Sequence, residues 1–423
     1  MTIELEQARQ LLAEGDLAGS VRAVRFVAER VPLRELATML AELAAAAEFG
    51  DLAAAAGAVL DDPADPRALT VLGYECVEYG ISFAAIPVLS HALELAPTSR
   101  QALAELVTAF EDEHRHAEAV EVLVRHESDL QPWPERYLLV YNSILSADLP
   151  RALAEFARLP VPDDDWKFAY ERVGRMLARA GRAGAVTALD HQDLRGWQFT
   201  LTGGYLATLS PYGFDAGMTG RWAYLGDNPQ LCRHSLDRLA LVLSAASRQP
   251  RSVSLLPGRA DRILGLSAAR VLGLPPEEYE PGATDTVVVA YDLRTVADDL
   301  IATLHERAPG QILYEHATCW TQPPAVAADV SGLLHQTVVE PWAARQRLGD
   351  NGLEPVAADS RSEAEIADEI VSADGTPDLG DGATPSDLDA AVTTFVANTC
   401  DNWLIGPRTP MKSPGPVRSS FFT

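Results

Sequence analysis

The sequence predicts an all-α solenoid of paired helices, then a three-layer α/β domain with a mostly parallel sheet, and finally an acidic, largely disordered tail. Turn residues recur at intervals of roughly 34 residues through the first part of the chain, which is typical of helical repeats. Two apolar runs without alternation, at 253–256 and 287–290, are typical of strands buried on both faces of a parallel sheet. The predicted domains therefore span 1–190, 191–347 and 348–423.

The bulk composition limits the classes of function. With 423 residues and 47% hydrophobic content, the chain is long enough for two or three buried cores. A formal net charge of −26 argues against nucleic-acid and membrane partners, which need clustered Lys and Arg. The four cysteines form no CxxC pair, and no segment has the pattern of a signal peptide or a membrane span. We therefore expect a cytoplasmic protein without a disulfide framework.

The first 190 residues show a repeated pattern of apolar segments separated by short turns. Gly15-Asp-Leu-Ala and Gly50-Asp-Leu-Ala recur 35 residues apart, each between two apolar-periodic segments. Corresponding turns are predicted at Tyr79–Ile81, Glu113–Arg115, Ala147–Leu149 and Ala180–Arg182. Turns in phase over such a length predict stacked helix pairs.

The clearest unit runs from Pro66 to Ser99 and carries a recognisable signature. Its key residues are Leu69, Leu72, Gly73, Cys76, Ala85, Leu89, Ala92 and Pro97. Their spacing resembles that of the tetratricopeptide repeat superfamily. The resemblance implies a protein-binding scaffold in which the first helix of each unit lines a concave groove. A solenoid of another type, or a plain helical bundle, is the alternative.

A protein or peptide partner is the expected ligand of this groove. In the register of the resemblance, the groove carries seven candidate residues from three successive units: Arg67, Tyr74, Glu78, Thr108, Glu111, Asp112 and Asn142. The surface is mixed to acidic and has no lysine, so it does not suit capture of a peptide carboxylate. It favours a basic or apolar peptide, and an ordinary solvated helix face is the alternative.

From residue 191 the pattern changes to alternating strands and helices. The chain predicts a β-hairpin over 197–210 turning at Gly203-Gly204, and another helix within 325–347 that carries His335 and Trp342. Between them it predicts strands at Arg221–Leu225, Ser252–Leu256, Thr286–Tyr291 and Gln311–Tyr314, and helices at Cys232–Ser247, Asp261–Leu272 and Thr295–Arg307. This order is typical of a parallel sheet with helices on its faces.

A candidate anion site follows two of these strands. The first is followed by Gly258, Arg259 and Arg262, and the second by Asp292, Arg294 and Thr295. The carboxyl ends of parallel strands commonly bind ligands, and a helix N-terminus with arginines suits a phosphate or carboxylate. The alternative is that Asp261 and Asp292 simply cap their helices.

The second of these segments faintly resembles a phosphoribosyltransferase domain. There, an acidic pair ends a strand and a Thr/Gly-rich loop follows it. Asp292 and Thr295 match that pattern, whereas Tyr291 replaces the second acid and the loop glycine is missing. The resemblance therefore implies a domain without transferase activity.

Other catalytic and metal-binding patterns have little support. Cys232 with His234, and His316 with Cys319, offer zinc-type ligands, but neither spacing is standard, so we expect no metal and no cofactor. Nucleophile-elbow, P-loop and dinucleotide-binding motifs are absent from the sequence.

The predicted function is a scaffold or adaptor rather than an enzyme, because the chain carries a repeat signature and no intact catalytic motif. The alternative is an enzyme or a regulator that binds a nucleotide or sugar phosphate at the sheet edge. The acidic tail is expected to hold an amphipathic helix at 386–404. This segment docks on a partner or folds back onto the groove, and an inert, solubilising tail is the alternative.

Overall fold

A computed structural model describes residues 5–349 and 352–420. The chain divides into two units, Met1–Glu171 and Arg172–Thr423, so the predicted boundary at 190 lies inside the second unit. Each unit has its own architecture.

The described residues of the first unit form helices joined by short connections. Its helices are α1 (Glu6–Ala13), α2 (Leu17–Arg25), α3 (Leu33–Ala46), α4 (Gly50–Asp61), α5 (Pro66–Glu78), α6 (Ser82–Leu95), α7 (Arg100–Asp112), α8 (His116–Arg125), α9 (Tyr137–Leu145), α10 (Leu149–Phe156) and the start of α11 (Asp164–Gly184). From α1 to α10, each helix packs against the next one.

One type of turn recurs through this unit. The residues with positive φ between paired helices are Gly15, Glu48, Gly80, His114 and Ala147, separated by 33, 32, 34 and 33 residues. After each of them, the next backbone N–H donates to the carbonyl five residues earlier at 2.8–2.9 Å. This bond is the mark of a Schellman helix end, which satisfies carbonyls that the helix leaves free. The local sequence therefore builds the same helix-to-helix turn five times.

The predicted turns agree with these positions except at two places. Gly50 begins α4, and the turn lies two residues earlier at Glu48. The turn predicted at Ala180–Arg182 is wrong, because those residues continue α11.

Close helix packing explains the small residues of the repeat. Leu69, Leu72, Cys76 and Leu89 are buried between neighbouring helices. A Cβ atom on Gly73 would lie only 2.3 Å from Cγ of Leu89, so glycine is required where α5 meets α6. The helical region is compatible with a helical-repeat solenoid.

The second unit is an α/β domain. Its strands are β1 (Tyr205–Leu206), β2 (Trp222–Gly226), β3 (Ser252–Leu255), β4 (Pro276–Glu278), β5 (Thr286–Ala290), β6 (Ile312–Cys319), β7 (Val330–Val339), β8 (Arg345–Gly349) and β9 (Gly352–Val356). Its helices after α11 are α12 (Leu194–Thr202), α13 (Pro229–Ala245), α14 (Arg259–Leu272), α15 (Asp298–Leu304), α16 (Glu363–Ser372) and α17 (Asp389–Thr399).

Seven strands form one sheet, and every described pair in it is parallel. The order is β1, β7, β6, β5, β3, β4, and β2 pairs with the same edge of β7 as β1. Helices α13 and α14 pack on one face of the sheet, while α15 packs with Val288 and Leu313 on the other. From β3 the chain moves outward to β4 and then returns to the other side of β3 as β5, so the direction of winding reverses between β3 and β5. Strands β8 and β9 pair with each other in a separate antiparallel sheet.

Two secondary-structure predictions in this unit are wrong. The predicted hairpin begins as α12, because Asp193 accepts a hydrogen bond from the N–H of Gly196 and Gly203 ends the helix with φ of 81°. The predicted helix at 325–347 contains β7, whose first six residues are buried. Short apolar runs fit either structure, and here tertiary packing decided between them.

The expected disorder of the tail is not seen in the described part of 348–423. Residues 363–372 and 389–399 are helical, and Val392, Phe395 and Val396 of α17 are buried. Trp403 and Arg408 are also buried further along. Residues 350–351 and 421–423 of this prediction lie outside the described residues.

A buried carboxylate holds this C-terminal segment against the sheet. Asp329 accepts hydrogen bonds from Nε of Arg408 at 3.0 Å, from Nε of Arg307 at 2.8 Å and from the N–H of Leu313 at 2.8 Å. Burial alone would raise the pKa of Asp329, but the charges of Arg307 and Arg408 and these hydrogen bonds outweigh it and lower the pKa.

Within the described residues, none of the helices combines the length and apolar character that crossing a membrane requires.

We expect Arg408→Ala to destabilise the second unit by about 3–5 kcal/mol, because it removes one partner of the buried ion pair with Asp329. It also leaves the side-chain oxygen of Gln311 without the hydrogen bond that Arg408 donates. Urea unfolding followed by tryptophan fluorescence measures the loss. Arg418→Ala, which alters an exposed side chain, serves as the control and should change stability by less than about 0.5 kcal/mol. Equal stability of the two variants would contradict the anchoring role.

Candidate functional site

The two predicted ligand segments meet at one edge of the sheet. Gly258 is the N-cap of α14 and lies shortly after β3 in the chain. Asp292 is the second residue after the end of β5. The N–H of Tyr291 donates to Oδ1 of Asp261 at 2.8 Å, which joins the two segments. This edge lies where the winding reverses between β3 and β5, the usual ligand position in open parallel sheets.

The arginines of this edge already have protein partners. Arg259 donates to the carbonyls of Asp359 and Arg361 at 2.8 and 3.0 Å. Arg262 forms ion pairs with Glu278 at 2.6 Å and with Glu363 at 3.2 Å. Arg294 pairs with Asp292 at 2.5 Å, and the hydroxyl of Thr295 donates to the carbonyl of Asp292. An incoming anion would have to displace these acceptors.

Further carboxyl groups make the edge acidic. Burial raises the pKa of Asp261 to about 6, and the charges of Glu340 and Asp292 add to the increase. Burial and the charge of Asp292 raise the pKa of Glu315 to about 8. Burial also raises the pKa of Glu340. Sequence analysis missed Glu315 and Glu340, although a charged residue inside an apolar strand, as in β6, is a signal of a special environment.

A second cluster lies in the same domain. The carboxylate of Asp227, which follows β2, meets the thiol of Cys232 on α13 and the imidazole of His316 on β6, and all three side chains are buried. Oδ2 of Asp227 lies 3.0 Å from Nε2 of His316 and 3.3 Å from Sγ of Cys232, and the Tyr291 hydroxyl donates to it at 2.8 Å. Thus Cys232 and His316, two ligands considered from the sequence, do come together, and Asp227 joins them.

The other two ligands of that set lie elsewhere. Nδ1 of His234 forms a hydrogen bond with the carbonyl of Gly375, and the Cys319 thiol contacts the carbonyl of Gln336. The candidate group is therefore Asp227, Cys232 and His316. The sequence pattern did not predict Asp227 as a ligand.

The second unit also holds a cavity of about 1030 Å³, a volume that accommodates a small organic ligand. It is lined by four parts of the chain: the segment between β1 and β2, strand β2, the start of α13, and residues from 376–388. The Thr208 hydroxyl and Nε of Arg221 are buried in its wall without a hydrogen-bond partner among the described residues. Its lining includes four exposed apolar side chains: Tyr212, Tyr224, Leu379 and Leu388. None of the residues of the predicted anion site lines it, whereas His234, one of the zinc-type ligands offered by the sequence, does.

The predicted groove residues of the first unit fall into two groups. Arg67, Tyr74 and Glu78 are exposed along one face of α5. The other four belong to internal contacts or are half-buried: Thr108 and Glu111 on α7, Asp112, which accepts a hydrogen bond from Ser82 at 2.7 Å, and Asn142 on α9.

Asn142 is fully buried and joins three helices. Its Oδ1 lies 2.8 Å from Nδ1 of His116, and its Nδ2 donates to Glu111 at 2.6 Å. Burial lowers the pKa of His116 to about 4, so this imidazole is neutral at physiological pH. Asn142 therefore stabilises the helix packing, whereas Asp112 at the end of α7 is exposed like the three residues of α5.

A scan against models of protein families finds no match to this chain, and a search of curated proteins finds no relative.

We expect Glu315→Gln to stabilise the protein by up to roughly 3–4 kcal/mol near pH 7. The buried carboxyl stays protonated in the folded protein until about pH 8, whereas it ionises near pH 4.3 in the unfolded chain. The wild-type protein therefore loses stability as pH rises between these two values, and the variant lacks this loss. Urea unfolding at a series of pH values measures the difference.

Glu277→Gln on β4 is the matched control, because Glu277 is exposed. Its stability should follow that of the wild-type protein at every pH. If Glu315→Gln gave the same pH dependence as this control, Glu315 would be ionised in the folded protein.

Proposed function

We propose that this chain is a cytoplasmic protein-interaction scaffold whose first unit is a solenoid of the tetratricopeptide repeat type. Its ligand is a basic peptide segment that also carries apolar side chains. The observation that supports this most is an exposed strip on α5, formed by Arg67, Val71, Tyr74 and Glu78 and called the α5 strip below. Val71 is 48% exposed and Tyr74 is 40% exposed. The strip therefore presents two apolar side chains that lie about one helical turn apart.

Crowded negative charge around the α5 strip favours a cationic partner. The charge of Glu78 raises the pKa of Tyr74, and burial and the charges of Glu75 and Glu105 add to it. Burial raises the pKa of Glu105 on α7, and the charge of Glu78 raises it further. Like charges held together in this way repel one another, and a Lys or Arg side chain of a partner would relieve that repulsion.

The cellular setting of the proposal is supported by composition and by the cysteines. None of the four cysteines takes part in a disulfide, and such cysteines are typical of a reducing cytoplasm. The net charge of −26 disfavours nucleic acid and anionic membranes as partners, but it favours basic proteins.

Selection of displayed random peptides on the full chain, followed by fluorescence anisotropy of the selected peptides, tests the proposal. We expect peptides enriched in Lys or Arg together with apolar residues, and an affinity that falls as salt increases. Tyr74→Ala and the double variant Glu78→Lys, Glu105→Lys should each weaken binding about tenfold or more.

The double variant Glu94→Lys, Glu121→Lys is the charge-matched control, because both glutamates are exposed on α6 and α8. It should bind the selected peptides with nearly wild-type affinity. Enrichment of acidic peptides, or equal weakening by the control, would contradict the proposed role of the α5 strip.

The alternative function is an enzyme or a regulator that binds a nucleotide or sugar phosphate in the second unit. The reversal of winding between β3 and β5 favours it, because ligands of open parallel sheets bind at that point. The arginines would have to exchange Glu278 and Glu363 for the phosphate of the ligand.

Thermal stability in the presence of sugar phosphates and nucleoside phosphates tests this alternative. Binding should raise the melting temperature of the wild-type protein, and the double variant Arg259→Ala, Arg262→Ala should lose the increase. Arg270→Ala, which alters another arginine of α14, is the control and should keep it. No increase in the wild-type protein with any of these ligands would count against the alternative.

A further inference from the structure

The buried group of Asp227, Cys232 and His316 takes no part in the peptide site proposed above. Its three side chains come from three elements, namely the end of β2, the first turns of α13 and the middle of β6. Cys232 and His316 are 0% exposed and Asp227 is 2% exposed, so water contributes little to satisfying their polar atoms.

The distances within this group match the requirements of a metal ion. Nε2 of His316 and Oδ2 of Asp227 are 3.0 Å apart, and Sγ of Cys232 lies 3.3 Å from this oxygen and 3.9 Å from this nitrogen. A triangle with these sides has a point about 2.0 Å from every corner, and zinc binds nitrogen and oxygen at about 2.0–2.2 Å and sulfur at about 2.3 Å. A zinc ion slightly out of that plane would reach all three atoms with almost no movement of the side chains.

The charges of the group also suit a divalent cation. A carboxylate, a thiolate and a neutral imidazole together carry two negative charges, which a buried site must balance. Without a metal, the Tyr291 hydroxyl, the Cys232 thiol and the imidazole of His316 all converge on a single oxygen of Asp227. Zinc is a borderline-soft ion that accepts sulfur, nitrogen and oxygen ligands in one site.

Neighbouring side chains hold the ligands in position. The hydroxyl of Tyr314 lies 3.5 Å from Nδ1 of His316 and 2.6 Å from the hydroxyl of Ser235 on α13. The other oxygen of Asp227 accepts the N–H of Asn228 at 2.8 Å. Such outer contacts orient metal ligands, and they leave Nε2 of His316 directed at the common point.

We infer that Asp227, Cys232 and His316 form a zinc site within the α/β domain. Three protein ligands leave one position of the zinc tetrahedron for an oxygen ligand, and the Tyr291 hydroxyl lies 2.8 Å from Oδ2 of Asp227. The ion joins the end of β2 and the start of α13 to β6, so it stabilises the edge of the sheet. This site is independent of the peptide-binding role of the first unit.

Metal analysis of the full chain, purified without a polyhistidine tag, tests the inference. Elemental analysis should find about one zinc per chain. After exchange for cobalt, a thiolate-to-cobalt charge-transfer band should appear in the near-ultraviolet. Chelation of the zinc should lower the melting temperature, because metal binding contributes directly to folding stability.

Cys232→Ser and His316→Gln should lose the zinc and the cobalt band. Cys319→Ser and His335→Gln are matched controls, since both side chains are buried in the same domain on β6 and β7, and they should retain both. The wild-type chain decides the question even if a variant fails to fold. Folded wild-type protein that takes up no zinc after equilibration with it would overturn the inference, as would retention of zinc by Cys232→Ser and His316→Gln.

Discussion

The carboxylate of Asp329 is the interaction on which the α/β domain most depends. Its two oxygens accept from Leu313 of β6, from Arg307 and from Arg408, while its backbone carbonyl accepts from Tyr205 of β1 and from the indole of Trp403. One residue just before β7 thus joins neighbouring strands to the C-terminal segment. Because this carboxylate is completely buried, each partner offsets part of its desolvation, and Arg408 brings one of these partners from the C-terminal segment.

The helical unit depends on local interactions instead. Each of its recurring turns closes through a bond between residues five positions apart, so the turn forms from one short stretch of chain. Close contacts such as that of Gly73 with Leu89 then set how the helices stack. In a stack of repeated helix pairs, each pair contacts only its neighbours. One face of α5 therefore stays exposed, and it carries the apolar side chains of Val71 and Tyr74.

The chemistry of the α/β domain is acidic where an anion site was expected. Buried carboxyl groups such as Asp261 and Glu315 have raised pKa values, and the arginines beside them are engaged by carboxylates and carbonyls. An anion could bind at this edge only by displacing the acceptors that the arginines already have.

The sequence by itself determined the period of the helical turns and the buried strands β3 and β5, because adjacent residues encode both features through backbone geometry and apolar runs. It also placed Gly258 and Asp292 at one sheet edge, since parallel strands align their ends. Only the tertiary structure decided that 194–202 is helix and 330–339 is strand, because short apolar runs fit either form. It alone brought Asp227 to His316, since residues that are distant in the chain become neighbours only through the register of the sheet and the helices packed upon it.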